Sequence, residues 1–144
     1  MTIYENHDTE YKQEDVSSIG KEVVAFANTD GGTLYIGVRD DGSVRGVENI
    51  DDTMLRVASS LKDTIAPDVM PFVSVKAIKM EGRDVVEIRV STGTNRPYYL
   101  KEKGLKPSGI YVRKGSSSQP MSDEGICDMI IQNSGRSYES CRSL

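Results

Sequence analysis

The sequence is poor in residues that bind zinc. It has 144 residues but only one histidine, His7, and two cysteines, Cys127 and Cys141. A structural zinc site needs four Cys or His ligands at short, characteristic spacings, so we expect none in this chain. We interpret the two cysteines as reduced thiols of a cytoplasmic protein. A Ser-His-Asp hydrolase site would depend on His7, which lies in a polar N-terminal segment, and we do not expect one.

Long apolar runs and nucleotide-binding motifs are also missing. No stretch approaches the roughly 18 apolar residues that indicate a transmembrane helix, and the polar N-terminal residues do not resemble a signal peptide. Lys21 follows a glycine but precedes Glu22 rather than Ser or Thr, so the pair does not form a P-loop, and no Gly-x-Gly-x-x-Gly occurs. We therefore expect no membrane association, and the sequence gives no support for nucleotide hydrolysis.

Acidic residues outnumber basic ones, but the two signs are separated along the chain. The formal net charge of -4 at pH 7 argues against an evenly basic nucleic-acid binder. Residues 1–63 contain 13 acidic and 6 basic side chains, whereas residues 64–144 contain 9 acidic and 12 basic ones. Between Arg96 and Lys114, six basic residues stand against Glu102 alone. This segment indicates a basic strip on an acidic protein, and a solvated loop with scattered lysines is the alternative.

Three segments have the apolar periodicity of helices. The first begins at Val16 and is expected to end at Gly31, because glycine accepts the left-handed conformation that often follows a helix. The second runs from Asp51 to Thr64, with its first two residues as candidate caps. A short third helix follows Ser122, whose hydroxyl is the expected cap.

Alternating apolar residues predict the strands. The predicted strands are TLYIGVR, FVSVKAIKM, RDVVEIRVS, RPYYLK and SGIYVRK. The second and third form a hairpin around Glu81 and Gly82, and GSSSQPM, after the last, is expected to be a loop. The predicted fold class is α+β, with a mixed, mostly antiparallel sheet with hairpins, packed by two to three helices. We expect one domain over residues 1–132 and a polar linker or tail over residues 133–144.

Three acidic residues are candidates for a catalytic metal site: Glu5, Glu10 and Asp40. Mg²⁺ and Mn²⁺ prefer oxygen ligands, and such an ion can activate a water for phosphodiester cleavage. Asp40 follows a predicted strand, where functional side chains often lie, whereas Glu5 and Glu10 would converge only across a bend. From the residues alone, three solvated surface acids are the simpler interpretation.

Three stretches of the sequence together resemble a known family. They are ENHDTEYK, EVVAFANTDGGTLYIGVRDDGSVRGV and SGIYVRKGSSSQPMSDEGI. The chain resembles the Schlafen-type, AlbA-like DNA-binding family over about residues 5–131. The resemblance implies a DNA-binding domain, typically the N-terminal module of a larger bacterial protein that is similar to transcriptional regulators.

The Schlafen branch of this family adds a second implication. In that branch, acids at the positions of Glu5, Glu10 and Asp40 form a metal-dependent endoribonuclease site that acts on tRNA and rRNA, which here would use Mg or Mn. The position of Lys12 matches a lysine that can contact a phosphate. Schlafen cores join two related lobes, and this chain has one, so we expect a homodimer.

The resulting prediction is a cytoplasmic nucleic-acid-binding domain. Its phosphate contacts are assigned to basic residues, namely Lys12, Lys101, Lys103, Lys106, Arg113 and Lys114. Tyr98, Tyr99 and Tyr111 are candidates for stacking on bases, with packing in the core or the sheet as the alternative for at least one of them. The alternative functions are the metal-dependent endoribonuclease and a dimerisation or sensing domain whose effector lies beyond Leu144.

Overall fold

A computed structural model describes the backbone of residues 9–12 and 18–134 and the side chains of residues 18–132. In chain order the elements are β1 (Thr9–Lys12), α1 (Ile19–Asn28), β2 (Gly32–Ile36), α2 (Ile50–Thr64), β3 (Ile65–Ala66), a 3-10 turn (Met70–Phe72), β4 (Val73–Met80), β5 (Arg83–Val90), β6 (Tyr99–Leu100), β7 (Tyr111–Lys114), β8 (Ser117–Pro120) and α3 (Asp123–Ser134).

The main sheet has the strand order β1-β2-β5-β4. β1 runs parallel to β2, and the β2–β5 and β4–β5 pairs are antiparallel. Two further antiparallel pairs, β3–β6 and β7–β8, lie outside this sheet. The predicted α+β class with a mixed, mostly antiparallel sheet and packed helices is therefore confirmed.

The core lies between the main sheet and helices α1 and α2. Val23 and Phe26 of α1, Leu34 of β2, and Val57 and Leu61 of α2 are completely buried in one cluster. Helix α1 also contacts β7 on its other side. A helix that is covered on both sides is expected to be apolar around most of its circumference, as IGKEVVAFAN is. Helix α1 therefore packs against both the main sheet and the C-terminal strands.

The ends of α1 and α2 differ in detail from the prediction. Helix α1 ends at Asn28, and Gly31, with φ of 77°, donates its N–H to the oxygen of Phe26 at 2.9 Å. The expected role of this glycine is confirmed, while the predicted start of the helix lies outside the described residues. The cap of α2 is Asn49, whose side chain accepts the N–H of Asp52 at 3.0 Å, so the assignment of the cap to Asp51 or Asp52 is wrong.

The hairpin predictions are confirmed for β4 and β5 and wrong for β8. Glu81 and Gly82 join β4 to β5 with φ angles of 52° and 76°, as a tight hairpin turn requires. Residues 117–120, expected in a loop, form β8 and pair with β7. Their sequence, SSQP, has no apolar alternation, because this strand is held by β7 and by a polar contact to α1 rather than by apolar burial.

Three further expectations concern the cysteines, membrane helices and the cap of α3. Cys127 is disulfide-bonded, so its interpretation as a reduced thiol is wrong, and the other cysteine of the sequence, Cys141, lies outside the described residues. Across the stretch that the structure covers, no helix has the length and apolar character to cross a membrane. The Ser122 hydroxyl accepts the N–H of Gly125 at 3.1 Å and caps α3, as predicted.

Candidate nucleic-acid interface

The loop between β6 and β7 is held in shape by its own main chain. The N–H of Leu100 donates to the oxygen of Gly109 at 2.9 Å, and the N–H of Gly104 donates back to the oxygen of Leu100 at 2.9 Å. The two sides approach so closely that a Cβ on Gly109 would lie 2.2 Å from the oxygen of Gly104. This position therefore requires glycine, and the loop presents its side chains from a defined backbone.

Three lysines of this loop are exposed: Lys101, Lys103 and Lys106. The main-chain N–H of Lys101 donates to the oxygen of Thr64 at 2.8 Å, and its ammonium lies 3.5 Å from the oxygen of Lys62. The loop is therefore attached to the C-terminal end of α2, where the helix dipole favours positive charge.

Lys62 joins the three loop lysines, and we call these four residues the lysine cluster. All four are exposed, and within residues 18–132 none of them takes part in an ion pair. Sequence reasoning missed Lys62 because it lies on another element, 39 positions before Lys101. Only the contact between α2 and the loop brings it into this surface.

The other predicted basic residues are placed differently. Lys114 is exposed at the end of β7, and the oxygen of its main chain accepts the hydroxyl of Ser117 at 3.3 Å. The backbone of Lys12 lies beside Ile36 in the parallel β1–β2 pair, and its side chain is outside the described part. The structure thus does not bring Lys114 and Lys12 into the lysine cluster by any described contact.

Arg113 faces the interior of the domain. Its side chain is 1% exposed and forms an ion pair with Glu22 of α1, which is 5% exposed, at a distance of 3.0 Å. The guanidinium also lies 5.0 Å from the centre of the Phe26 ring and donates to the hydroxyl of Ser118 of β8 at 3.1 Å. The Ser118 hydroxyl in turn donates to the Glu22 carboxylate. This group joins α1 to both strands of the β7–β8 hairpin and does not offer its cation to solvent.

Asn28, at the end of α1, satisfies three main-chain groups of the C-terminal segment. Its side-chain oxygen accepts the N–H of Tyr98 at 2.7 Å, and its amide donates to the oxygens of Tyr98 and Tyr111 at 2.9 and 3.0 Å. The side chain is buried, and so is that of Tyr98. Buried main-chain groups need such partners, so Asn28 fixes the chain that leads to β6 and the basic loop.

The three candidate stacking tyrosines have different environments. Tyr98 is fully buried, so its ring belongs to the core and packs edge-on against Phe72 at 6.3 Å. Tyr99 is half-buried against the small cluster around Ile110. Tyr111 is half-buried, and the ammonium of Lys21 lies 5.7 Å from the centre of its ring. The alternative of packing in the core thus holds for Tyr98.

The candidate metal ligands fall partly outside the described residues. Glu5 is outside, and Glu10 is described only as a backbone position of β1 beside Leu34. Asp40 is exposed in the turn that follows β2. No group of three metal-ligating side chains occurs in the portion that the structure describes, which leaves the metal site a prediction.

Asp41, not Asp40, is the aspartate whose carboxylate forms hydrogen bonds within this turn. Its carboxylate accepts the N–H and the hydroxyl of Ser43 at 2.8 and 2.6 Å. These hydrogen bonds from Ser43 favour the charged form and lower the pKa of Asp41 below its ordinary value. Asp40 makes no hydrogen bond or ion pair with the described part of the chain, so the turn does not account for its side chain.

The fold and this surface define a small α+β domain with a lysine-bearing loop between β6 and β7. The chain belongs to the Schlafen, AlbA_2 family, whose family model matches residues 5–122. The resemblance seen in the sequence is thereby confirmed.

Among the solved structures that share the fold are the following two. The DIP2311 protein from Corynebacterium diphtheriae is 20% identical with a TM-score of 0.64, and the match covers 90% of this chain but only 25% of that one. The N-terminal domain of a RecG-related protein from Nitrosomonas europaea, named after an ATP-dependent DNA helicase, is 26% identical with a TM-score of 0.55, covering 78% of this chain and 80% of that domain. No curated protein is significantly similar to the chain.

Proposed function

We propose that this domain is a nucleic-acid-binding module that contacts phosphates through the lysine cluster. We further propose that it is the N-terminal, DNA-binding part of a larger cytoplasmic protein that resembles bacterial transcriptional regulators, and that it works as a homodimer. Membership of the Schlafen, AlbA_2 family supports this function, as does the likeness to a domain of a protein named after a DNA helicase.

The observation that carries the proposal is the lysine cluster itself. Lys101, Lys103 and Lys106 are exposed on a loop whose backbone is held by internal hydrogen bonds, and the contact between the Lys101 ammonium and the main-chain oxygen of Lys62 attaches that loop beside a fourth exposed lysine. Unpaired lysines repel one another, and a polyanion relieves that repulsion by binding and releasing its counterions. Contacts of this kind position a nucleic acid without reading its sequence.

Replacing Lys101, Lys103 and Lys106 with alanine is expected to weaken binding in a salt-dependent way. Each lost phosphate contact lowers the slope of log K against log salt by about 0.9 on duplex DNA, so the slope should fall by about 3 units. Fluorescence anisotropy of a labelled 20-base-pair duplex, measured between low and high salt, reports both the affinity and the slope.

A matched control removes equal charge elsewhere. Lys76, Lys79 and Arg83 lie on the β4–β5 hairpin, and their replacement with alanine should leave the slope almost unchanged. Equal loss of slope in both triple variants would mean that binding follows net charge and not the lysine cluster.

The second candidate function is a metal-dependent endoribonuclease that uses Glu5, Glu10 and Asp40 to hold Mg or Mn. The observation in its favour is that, of the two aspartates, only Asp41 uses its carboxylate within the described turn, which leaves Asp40 for another role. In addition, β1, which carries Glu10, lies parallel to β2, which leads to Asp40. Carboxylates on neighbouring segments are the ligands that such ions prefer.

Replacing Glu10 with glutamine is expected to reduce Mn²⁺-dependent cleavage of tRNA to background, because an amide is a poorer ligand for a hard cation. Asp41→Asn is the control, since its carboxylate is engaged with Ser43, and it should retain cleavage. The products are read on a denaturing gel with Mn²⁺, with Mg²⁺ and with chelator. If the unaltered protein cuts no structured RNA with either ion, the nuclease function is rejected.

A further inference from the structure

An open cavity of about 570 Å³ lies beside the lysine cluster. It is bounded by the C-terminal end of α2, by β3 and by the start of the 3-10 turn, and two members of the cluster form part of its wall. The lining residues are Lys62, Ile65, Ala66, Asp68, Met70 and Lys101. Its volume falls within the range of about 300–1,000 Å³ that is usual for small-molecule sites.

The cavity combines an apolar wall with a cationic edge. Ala66 and Met70 are half-buried and expose hydrocarbon or sulfur to the cavity, whereas Ile65 is only 1% exposed and adds almost no accessible surface. Lys62 and Lys101 supply two ammonium groups that form no ion pair with the described residues. Asp68 is the only acid in the lining, and its carboxylate accepts the N–H of Met70 at 3.1 Å.

An apolar wall next to a cationic edge matches the chemistry of one nucleotide, which has an apolar base and a charged phosphate. A nucleobase has apolar faces that pack well against methionine sulfur and aliphatic side chains, and the phosphates on either side carry the negative charge that two lysines attract. A purely apolar partner would leave the two ammonium groups without a counterion, and a free phosphate would leave the exposed parts of Ala66 and Met70 uncovered.

We propose that this cavity binds one unpaired base of a single-stranded nucleic acid, while the adjoining phosphates contact Lys62 and Lys101. The inference rests on the proposed nucleic-acid binding and adds that the preferred nucleic acid is single-stranded. A base within a duplex is stacked and paired, and extruding it costs a few kcal/mol. A single strand avoids this cost, so the domain should prefer single strands to duplexes.

The test compares three probes of equal length with the unaltered protein: single-stranded dT12, the same phosphate chain with every base removed, and a 12-base-pair duplex. Removing on the order of 60 Å² of apolar surface from water changes an affinity by roughly tenfold, and a base that packs on Ala66 and Met70 would remove an area of this order. Binding to dT12 is therefore expected to be at least about tenfold tighter than binding to the abasic strand. The duplex should bind more weakly than dT12 at the same salt concentration.

A spectroscopic measurement locates the base without altering the protein. With ¹³C-labelled methionine methyl groups, dT12 should shift the Met70 resonance upfield through the ring current of the base, and the abasic strand should not. Met80, which packs in a different cluster at the β4–β5 hairpin, serves as the reference methyl. The variant Met70→Ala should bring the affinities for dT12 and for the abasic strand closer together.

The outcomes separate this inference from the proposed function. If all probes bind with salt dependence, but dT12 and the abasic strand bind equally and Met70 does not shift, the cavity does not hold a base and the lysine cluster alone binds. A duplex that binds as tightly as dT12 also overturns the inference. If no probe binds at any salt concentration, the proposed function is wrong, and the inference falls with it.

Discussion

Replacing Arg113 with methionine is expected to lower the free energy of unfolding by about 3–5 kcal/mol, the cost of breaking a buried ion pair. The substitution keeps most of the side-chain volume but leaves the carboxylate of Glu22 charged and buried, since that side chain is 5% exposed. It also removes a donor to the hydroxyl of Ser118. Urea denaturation followed by circular dichroism measures the difference.

Two further variants test whether the loss of stability comes from the burial of this ion pair. Arg56→Met breaks an exposed ion pair, since the Arg56 side chain is 52% exposed and that of its partner Asp52 is 56% exposed. This change should lower the free energy of unfolding by less than about 1 kcal/mol. Replacing both Glu22 and Arg113 with methionine removes both charges and should recover a large part of the lost stability. A cost for Arg113→Met no greater than that for Arg56→Met would contradict the burial of this ion pair.

The same comparison decides the role of Arg113 in binding. The sequence predicted a phosphate contact for this residue, whereas in the structure its guanidinium forms an ion pair with Glu22 inside the domain. The double methionine variant, if folded, should bind nucleic acid with an unchanged salt slope, because no exposed charge is lost. If the slope of log K against log salt falls by about one unit, Arg113 does contact a phosphate, as the sequence predicted.

Replacing Asn28 with alanine is the second substitution with a large expected effect. It removes the partners of three main-chain groups of Tyr98 and Tyr111, and each buried group left unsatisfied costs about 1–3 kcal/mol. Relaxation and water entry reduce the sum, so we expect a loss of about 3 kcal/mol or more. Thermal or urea unfolding monitored by tyrosine fluorescence measures it.

Asn49→Ala is the matched control for this asparagine. Its side chain accepts one N–H at the exposed start of α2, and the loss of such a cap costs about 1 kcal/mol. Equal losses in the two alanine variants would be inconsistent with Asn28 as the connection between α1 and the segment that carries the basic loop.

The elements that the sequence predicted well are those with local signals. The alternation of Leu34 and Ile36 specifies a strand with one face in the core, and the pair Glu81-Gly82 specifies a tight turn. β8 carries no such pattern, because its residues are exposed or half-buried: it pairs with β7 across a short turn and is tied to α1 by the contact of Ser118 with Glu22, 96 positions away. A strand held by hydrogen bonds to another element leaves little trace in its own composition.

The candidate site follows the same rule. Lys101, Lys103 and Lys106 are close in sequence and could be recognised together, whereas Lys62 could not, because tertiary contact alone brings it to them. The burial of Arg113 was equally invisible, since it depends on Glu22, 91 positions away. A basic residue between alternating apolar ones looks exposed until its partner is known.

The measurement that tests the central claim most directly is a map of the surface that binds nucleic acid. Amide resonances of the ¹⁵N-labelled protein are followed as dT12 is added at low and at high salt. We predict shifts in residues 100–110 and in the last turn of α2 around Lys62, and we expect added salt to weaken them. Shifts concentrated in the β4–β5 hairpin around Lys76 and Lys79, or no shifts at all, would contradict the assignment of the lysine cluster as the binding surface.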